Sequence, residues 1–141
     1  MHRETQRGRS FIGRFDCGDD LLGALTQFCR ANAIRLGAFH LIGAVKNAKL
    51  GYYSQDEKKY TGCVEFDQKL EIVSCSGNIS LKDGESFVHA HIALADYKGN
   101  AFGGHLMPGT TVFAAEFVIQ EFTGALLERS QEPCTGLPLW R

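Results

Sequence analysis

The sequence contains no wholly apolar run approaching the roughly 20 residues that a membrane-spanning helix requires, which excludes a span of that kind. No apolar segment follows its polar start, Met1-His2-Arg3-Glu4-Thr5, so no secretory signal is expected and the expected compartment is the cytoplasm. There is no surplus of basic charge: 15 Lys and Arg face 16 Asp and Glu, a formal net charge of -1. That removes the simplest case for nucleic-acid binding, a strongly basic domain, and leaves room only for a local patch. No Cys-x-x-Cys pair occurs, and the cysteines, Cys17, Cys29, Cys63, Cys75 and Cys134, are odd in number. A disulfide framework or zinc knuckle is therefore not expected, and the thiols read as buried side chains in a reducing compartment. Internal repeats, low-complexity linkers, a nucleophile elbow, a P-loop and a dinucleotide-binding glycine motif are all missing.

What is there suits one domain. A chain of 141 residues buries roughly two-thirds of its unfolded surface and needs no staple to fold. An apolar share of 44% and a charged share of 22% fit neither disorder nor a coiled coil. Residues 1–9 are polar and read as a flexible arm; residues 10–141 read as a single domain. From Ser10 the pattern alternates, with Phe11, Gly13 and Phe15 against Ile12, Arg14 and Asp16. Gly18-Asp19-Asp20 then supplies a helix N-cap, and Leu21, Leu25, Phe28 and Cys29 make one apolar stripe ending near Asn32.

Everything beyond reads as strands: 36–45, 50–53, 59–66, 70–75, 78–81, 87–95, 101–106 and 111–122. Lys46-Asn47-Ala48, Asp67-Gln68 and Ser76-Gly77 are expected to separate strands, and tight turns are expected at Asp83-Gly84, Lys98-Gly99-Asn100 and Pro108-Gly109. The expected class is α+β, a mainly antiparallel sheet with one principal helix packed on it. The strand from Thr111 is apolar on both faces, with Phe113, Ala115, Phe117 and Ile119 against Val112, Ala114 and Val118. Both faces then need cover, and a subunit interface would supply it.

The chemistry concentrates in Phe87-Val88-His89-Ala90-His91-Ile92-Ala93-Leu94. Val88, Ala90, Ile92 and Leu94 form a core face, so His89 and His91 point away from it, with alpha carbons ~6.5 Å apart. A hairpin returns Gly103-Gly104-His105 beside them. Three imidazoles can converge on one metal ion at ~2.1 Å and leave a coordination position open, as catalytic zinc sites do. The same spacing also fits hydrogen-bonded histidines without a metal. His40 fits a structural role, and His2 is assigned none. Glu116 and Glu71 interrupt apolar patterns. Each is a candidate acid/base or acceptor for a ligating histidine, although a partner to an arginine or a partly wet interface is the commoner reason for such a carboxylate. Arg7 and Arg9, in Arg7-Gly8-Arg9, are candidate minor-groove DNA contacts or a solvated tail.

Gly18-Asp19-Asp20-Leu21, Gly43-Ala44-Val45, Leu70-Glu71-Ile72, Ser76-Gly77-Asn78-Ile79, Phe87-Val88-His89-Ala90-His91, Gly103-Gly104-His105-Leu106 and Thr135-Gly136-Leu137 occur in one order. Together they resemble the plants-and-prokaryotes-conserved (PPC) domain, over about Ser10 to Trp140. The resemblance implies an α+β fold with a largely antiparallel sheet, assembly as a homotrimer, and a metal site at His89, His91 and His105. In land plants the domain follows AT-hook motifs and mediates assembly with itself and other nuclear proteins; prokaryotic relatives are commonly described as candidate DNA-binding proteins. This chain departs from the plant pattern, because Ser10 follows Arg7-Gly8-Arg9 where an AT-hook has proline. The expected function is a trimeric metal-binding protein with a DNA-binding or regulatory role. The alternatives are a metal-dependent enzyme, of hydrolase or lyase type, acting on a small molecule at the three histidines, and a purely structural oligomerisation module. Zinc is the expected metal, although imidazole also suits nickel, copper and iron.

Overall fold

Period-two alternation dominates the chain, and strands hold 63% of its residues against 8% in the one helix. The expected antiparallel sheet and single helix are both present, but this proportion makes the protein largely β. The structure, a computed structural model, describes residues 1–141. In chain order the elements are β1 (Thr5–Phe15), α1 (Leu21–Ala31), β2 (Gly37–Ser54), β3 (Lys59–Phe66) and β4 (Leu70–Lys82). They continue with β5 (Glu85–Ala95), β6 (Ala101–Leu106), β7 (Thr111–Gly124), β8 (Glu128–Gln131) and β9 (Pro138–Trp140).

The long strand β2 organises the sheet. Its first half pairs with β7 on one side and β4 on the other; its second half pairs with β3 and, at Leu50 and Gly51, with β6. Since β6 pairs β5 and β5 pairs β4, the strands β2, β4, β5 and β6 close into a ring. All these ladders are antiparallel, whereas β8 joins β4 in parallel. The buried face includes Leu41, Val45, Leu50, Cys75, Ile79, Ile92, Leu94, Leu106, Phe117 and Ile119.

Helix α1 covers one side of that core. Asp20 caps it, accepting from the Gly23 N–H at 2.8 Å, and its other carboxylate oxygen accepts from the Gly109 N–H, which ties the cap to the turn before β7. Leu21, Leu25 and Cys29 are fully buried. Phe28 packs edge-on to Phe117 and Phe11, and Phe117 stacks on Phe15 at 4.6 Å.

Several expected boundaries move, each for a local reason. Strand β1 begins at Thr5, so the arm expected over residues 1–9 shrinks to the four residues before it. Polar residues continue the strand because β7 satisfies them: Arg9 forks onto Glu121 at 2.6 and 2.8 Å and also donates to the Asn32 carbonyl. Strand β2 runs through Lys46-Asn47-Ala48 without a turn, since Ala48 is buried and Asn47 donates to the Gly109 carbonyl at 2.6 Å. Strand β4 likewise runs through Ser76-Gly77. A Cβ on Gly77 would lie 2.7 Å from the Phe39 ring, so this glycine makes room for an aromatic rather than marking a turn.

Strand β7 changes which residues face inward between Val112 and Ala115, where the β2–β7 register shifts between Ala44 and Val45. Phe113 is therefore exposed, although alternation alone would put it with Phe117. The cysteines split too. Cys29 and Cys75 are buried, and burial pushes both thiols up to about 12. Cys17, Cys63 and Cys134 are exposed, against the expectation of buried thiols, and all five are free.

Candidate metal centre

Strand β5 sets the site. Val88, Ala90, Ile92 and Leu94 are buried, so His89 and His91 stand on the opposite face of the sheet. The β5–β6 turn fixes the third histidine. Asp96 accepts from the N–H groups of Lys98 and Asn100 at 2.8 and 3.0 Å, and these bonds with the Asn100 side chain hold its carboxyl below the usual range. The register that results places His105 directly opposite His91.

The three rings form a nearly equilateral triangle. Their centroids are 5.2 Å apart for His89 and His91, 5.0 Å for His89 and His105, and 5.3 Å for His91 and His105. One nitrogen from each lies within 4.8 Å of the others. His89 and His105 are half-buried and His91 is exposed, which leaves one side of the triangle open.

The electrostatics favour lone pairs over protons. Burial, then the neighbouring His89 and His91, push His105 down to about 4 from an ordinary 6.5. His89 also falls, through burial first, then Arg129 and His91. Neutral imidazole is the ligating form, so these two rings can meet a cation at neutral pH with no proton to release. The Nδ1 atom of His105 is buried with no hydrogen-bond partner. Three imidazoles with one orphaned nitrogen fit a divalent transition-metal cation.

Neighbours frame the triangle. The Tyr60 ring of β3 lies 5.0 Å from that of His105 and also packs on Tyr53. Burial raises the Tyr60 phenol, the Tyr53 charge adds to that rise, and Arg129 opposes it. The Tyr53 hydroxyl donates to the Thr135 carbonyl at 2.7 Å, which draws the C-terminal segment toward this wall. On the other flank, Asn78 of β4 is the ladder partner of His89, and its side-chain oxygen accepts from Arg129 at 2.7 Å. A cavity of about 320 Å³, bounded by α1, Met107 and Pro108, reaches His105 but neither His89 nor His91.

The remaining sequence candidates stand apart. Glu71 is exposed opposite Ala95, four residues along β5 from His91. Glu116 is exposed on β7, between Arg14 and Ile42, on strands that carry none of the three histidines. His40 is exposed, with its Nε2 3.5 Å from the Ser74 hydroxyl, a weak contact that does not bury it as a structural role would. Arg7 lies in β1 opposite Phe122, and Arg9 is held by Glu121. Arg129, Tyr60 and Asn78 were not legible as site residues. Asn78 lies in Ser76-Gly77-Asn78-Ile79, and no spacing rule links Arg129 or Tyr60 to the histidines.

A family model, the Plants and Prokaryotes Conserved (PCC) domain, matches residues 2–123. The chain belongs to this family, called PPC in the structure of its Pyrococcus horikoshii relative. That structure is 38% identical, covers 100% of this chain and 96% of its own, and superposes with a TM-score of 0.94. A metal-containing protein from Archaeoglobus fulgidus is 38% identical, with 98% and 96% covered and a TM-score of 0.92. A candidate DNA-binding protein from Bacteroides thetaiotaomicron is 25% identical, with 97% and 96% covered and a TM-score of 0.86. Among curated proteins, the bifunctional protein GlmU of a Synechococcus strain is 32% identical over 121 residues. That match takes in 84% of this chain, which spans only 18% of the length of that relative.

Proposed function

We propose that this PPC-domain chain is a metal-binding protein in which His89, His91 and His105 hold one divalent cation, zinc by preference. The observation that carries this reading is the mutual approach of three imidazole nitrogens within 4.8 Å, one of the rings bearing a buried, partnerless Nδ1. The metal-containing relative from Archaeoglobus fulgidus supports it. When bound, such a cation supplies Lewis acidity and an open coordination position. The chain's own residues do the rest: the β5–β6 register aims His91 and His105, Tyr60 flanks His105, and burial keeps His89 and His105 unprotonated.

The chain assembles as a homotrimer, in our reading, through the sheet face that α1 leaves uncovered. There Ile12 is 86% exposed and Val118 50%, and the two are ladder partners beside Ile42. The biological role is DNA-associated or regulatory, supported by the candidate DNA-binding relatives. A reducing compartment such as the cytoplasm suits the five free thiols; no helix is long and apolar enough to cross a membrane. A second reading, metal-dependent hydrolysis or elimination on a small molecule, is favoured by the open side of the triangle at His91.

Two measurements test the proposal. Elemental analysis of purified protein should find about one zinc per chain, reduced to background in His91→Ala; equal metal in both would remove His91 as a ligand. Fluorescence anisotropy with A·T-rich duplex should show binding that weakens steeply with salt. No binding at low salt would end the DNA-associated role and leave the metal site standing.

A further inference from the structure

Arg129 carries a positive charge into the wall of the histidine triangle, and no carboxylate of the chain meets it. The residue is only 7% exposed, and none of the ion pairs includes it. Its three hydrogen bonds go to neutral acceptors: Ser80 Oγ at 2.8 Å, the Pro138 carbonyl at 2.9 Å and Asn78 Oδ1 at 2.7 Å. The guanidinium lies over the Phe87 and Trp140 rings, 5.2 and 5.5 Å from their centroids. A guanidinium has five N–H donors, so two remain.

The position is what matters. Ser80 and Phe87 are ladder partners, and so are Asn78 and His89. Phe87, His89 and His91 share one face of β5, so Arg129 sits one ladder step from the first histidine. A buried cation without a counter-charge is costly unless something anionic completes it. Here the geometry already holds the guanidinium rigidly, through two rings and three bonds, beside the face to which a cation would bind. A guanidinium with free N–H donors is the side chain best shaped for a carboxylate or phosphate oxygen pair.

We infer that Arg129 makes the histidine triangle an oxyanion site: a small ligand bearing a carboxylate or phosphate binds with one oxygen toward the ion and another on the guanidinium, between Asn78 and Tyr60. This rests on the metal reading above for the first contact and on Arg129 alone for the second. Imidazole ligands add no negative charge, so ion and guanidinium together leave the site positive and suited to an anion. It also narrows the open question of what the site takes, to small organic acids or phosphorylated small molecules.

Calorimetry with zinc-loaded protein tests it, using inorganic phosphate and malonate as probes. At least one should bind saturably, and the tighter of the two identifies the ligand class; if neither binds, the inference is overturned. In Arg129→Gln, zinc content and circular dichroism should be retained while the affinity for the preferred probe falls at least ~10-fold. Unchanged affinity there means Arg129 only pins the C-terminal strands, which also overturns the inference. Should that variant not fold, Arg129→Lys, which keeps the charge but not the fork, should show a smaller loss. Independently, wild-type protein loaded with cobalt should broaden the resonance of whichever probe binds, phosphorus for phosphate or the methylene carbon for malonate, and an unbroadened line for a bound probe would contradict placement beside the ion. Failure of the metal reading looks different. The wild type would then hold no zinc, while metal-free protein would still show weak, Arg129-dependent phosphate binding.

Discussion

At the scale of single residues, protonation and charge decide what the site can do. His105 has a folded pKa of about 4 against an ordinary 6.5. As pH falls, the unfolded chain takes up this proton first, so the metal-free fold loses stability from about 6.5 downward and the loss levels off near 4. His89 shifts the same way and adds to it. Urea midpoints of chelator-treated protein between pH 7.5 and 5 should fall, and they should fall less in His105→Phe; equal slopes would contradict burial of that ring. Carboxylates held low by partners, such as Glu121 beside Arg9, act at more acid pH and appear in both proteins alike.

Strands and turns account for which parts of the site could be read in advance. His89 and His91 were placed off the core by simple alternation, because β5 runs without a bulge from Ser86 to Leu94 and every second residue is buried. His105 followed from a turn whose Asp96 and Gly99 have strong local preferences. Alternation fails in β7, where the register shift opposite Ala44 and Val45 reverses the inward face, and no single-chain pattern marks such a shift. It fails again at β8 and β9, four and three residues long, which are too short to show a period. Arg129 entered the site through those strands and was invisible for the same reason.

Glycine 77 tests this element-level picture. Gly77→Ala puts a Cβ 2.7 Å from the Phe39 ring and against the His89 carbonyl, so it should cost about 1–3 kcal/mol and weaken zinc binding by displacing β5. Denaturant unfolding and a zinc titration check both, and a neutral effect on each would show that β4 has room to spare. Phe117→Asp buries a charge between Phe15 and Phe28 and should abolish folding, with loss of the circular-dichroism signal. An intact, stable fold would mean that this aromatic cluster is not the core.

For the whole molecule, the uncovered face explains how a protein with one short helix accommodates a sheet that is apolar on both sides. The row Ile12, Val118, His40, Ser76, His91, His105 crosses that face through successive ladder partners. The apolar end and the histidines are therefore parts of one surface. Val118→Asp should leave the monomer folded, because Val118 is already 50% exposed, and should reduce the mass in light scattering to that of one chain, 15.5 kDa. An unchanged trimer in that variant would move the interface elsewhere, and a wild type already at 15.5 kDa would end the trimeric reading.

The most direct test of the account is a cobalt titration of metal-free protein, followed by visible absorption and calorimetry. Three nitrogen ligands from β5 and β6 predict saturation at one ion per chain, and an affinity at least ~100-fold weaker in His105→Ala. Absence of saturable binding, or equal affinity in the variant, would contradict a metal held by His89, His91 and His105.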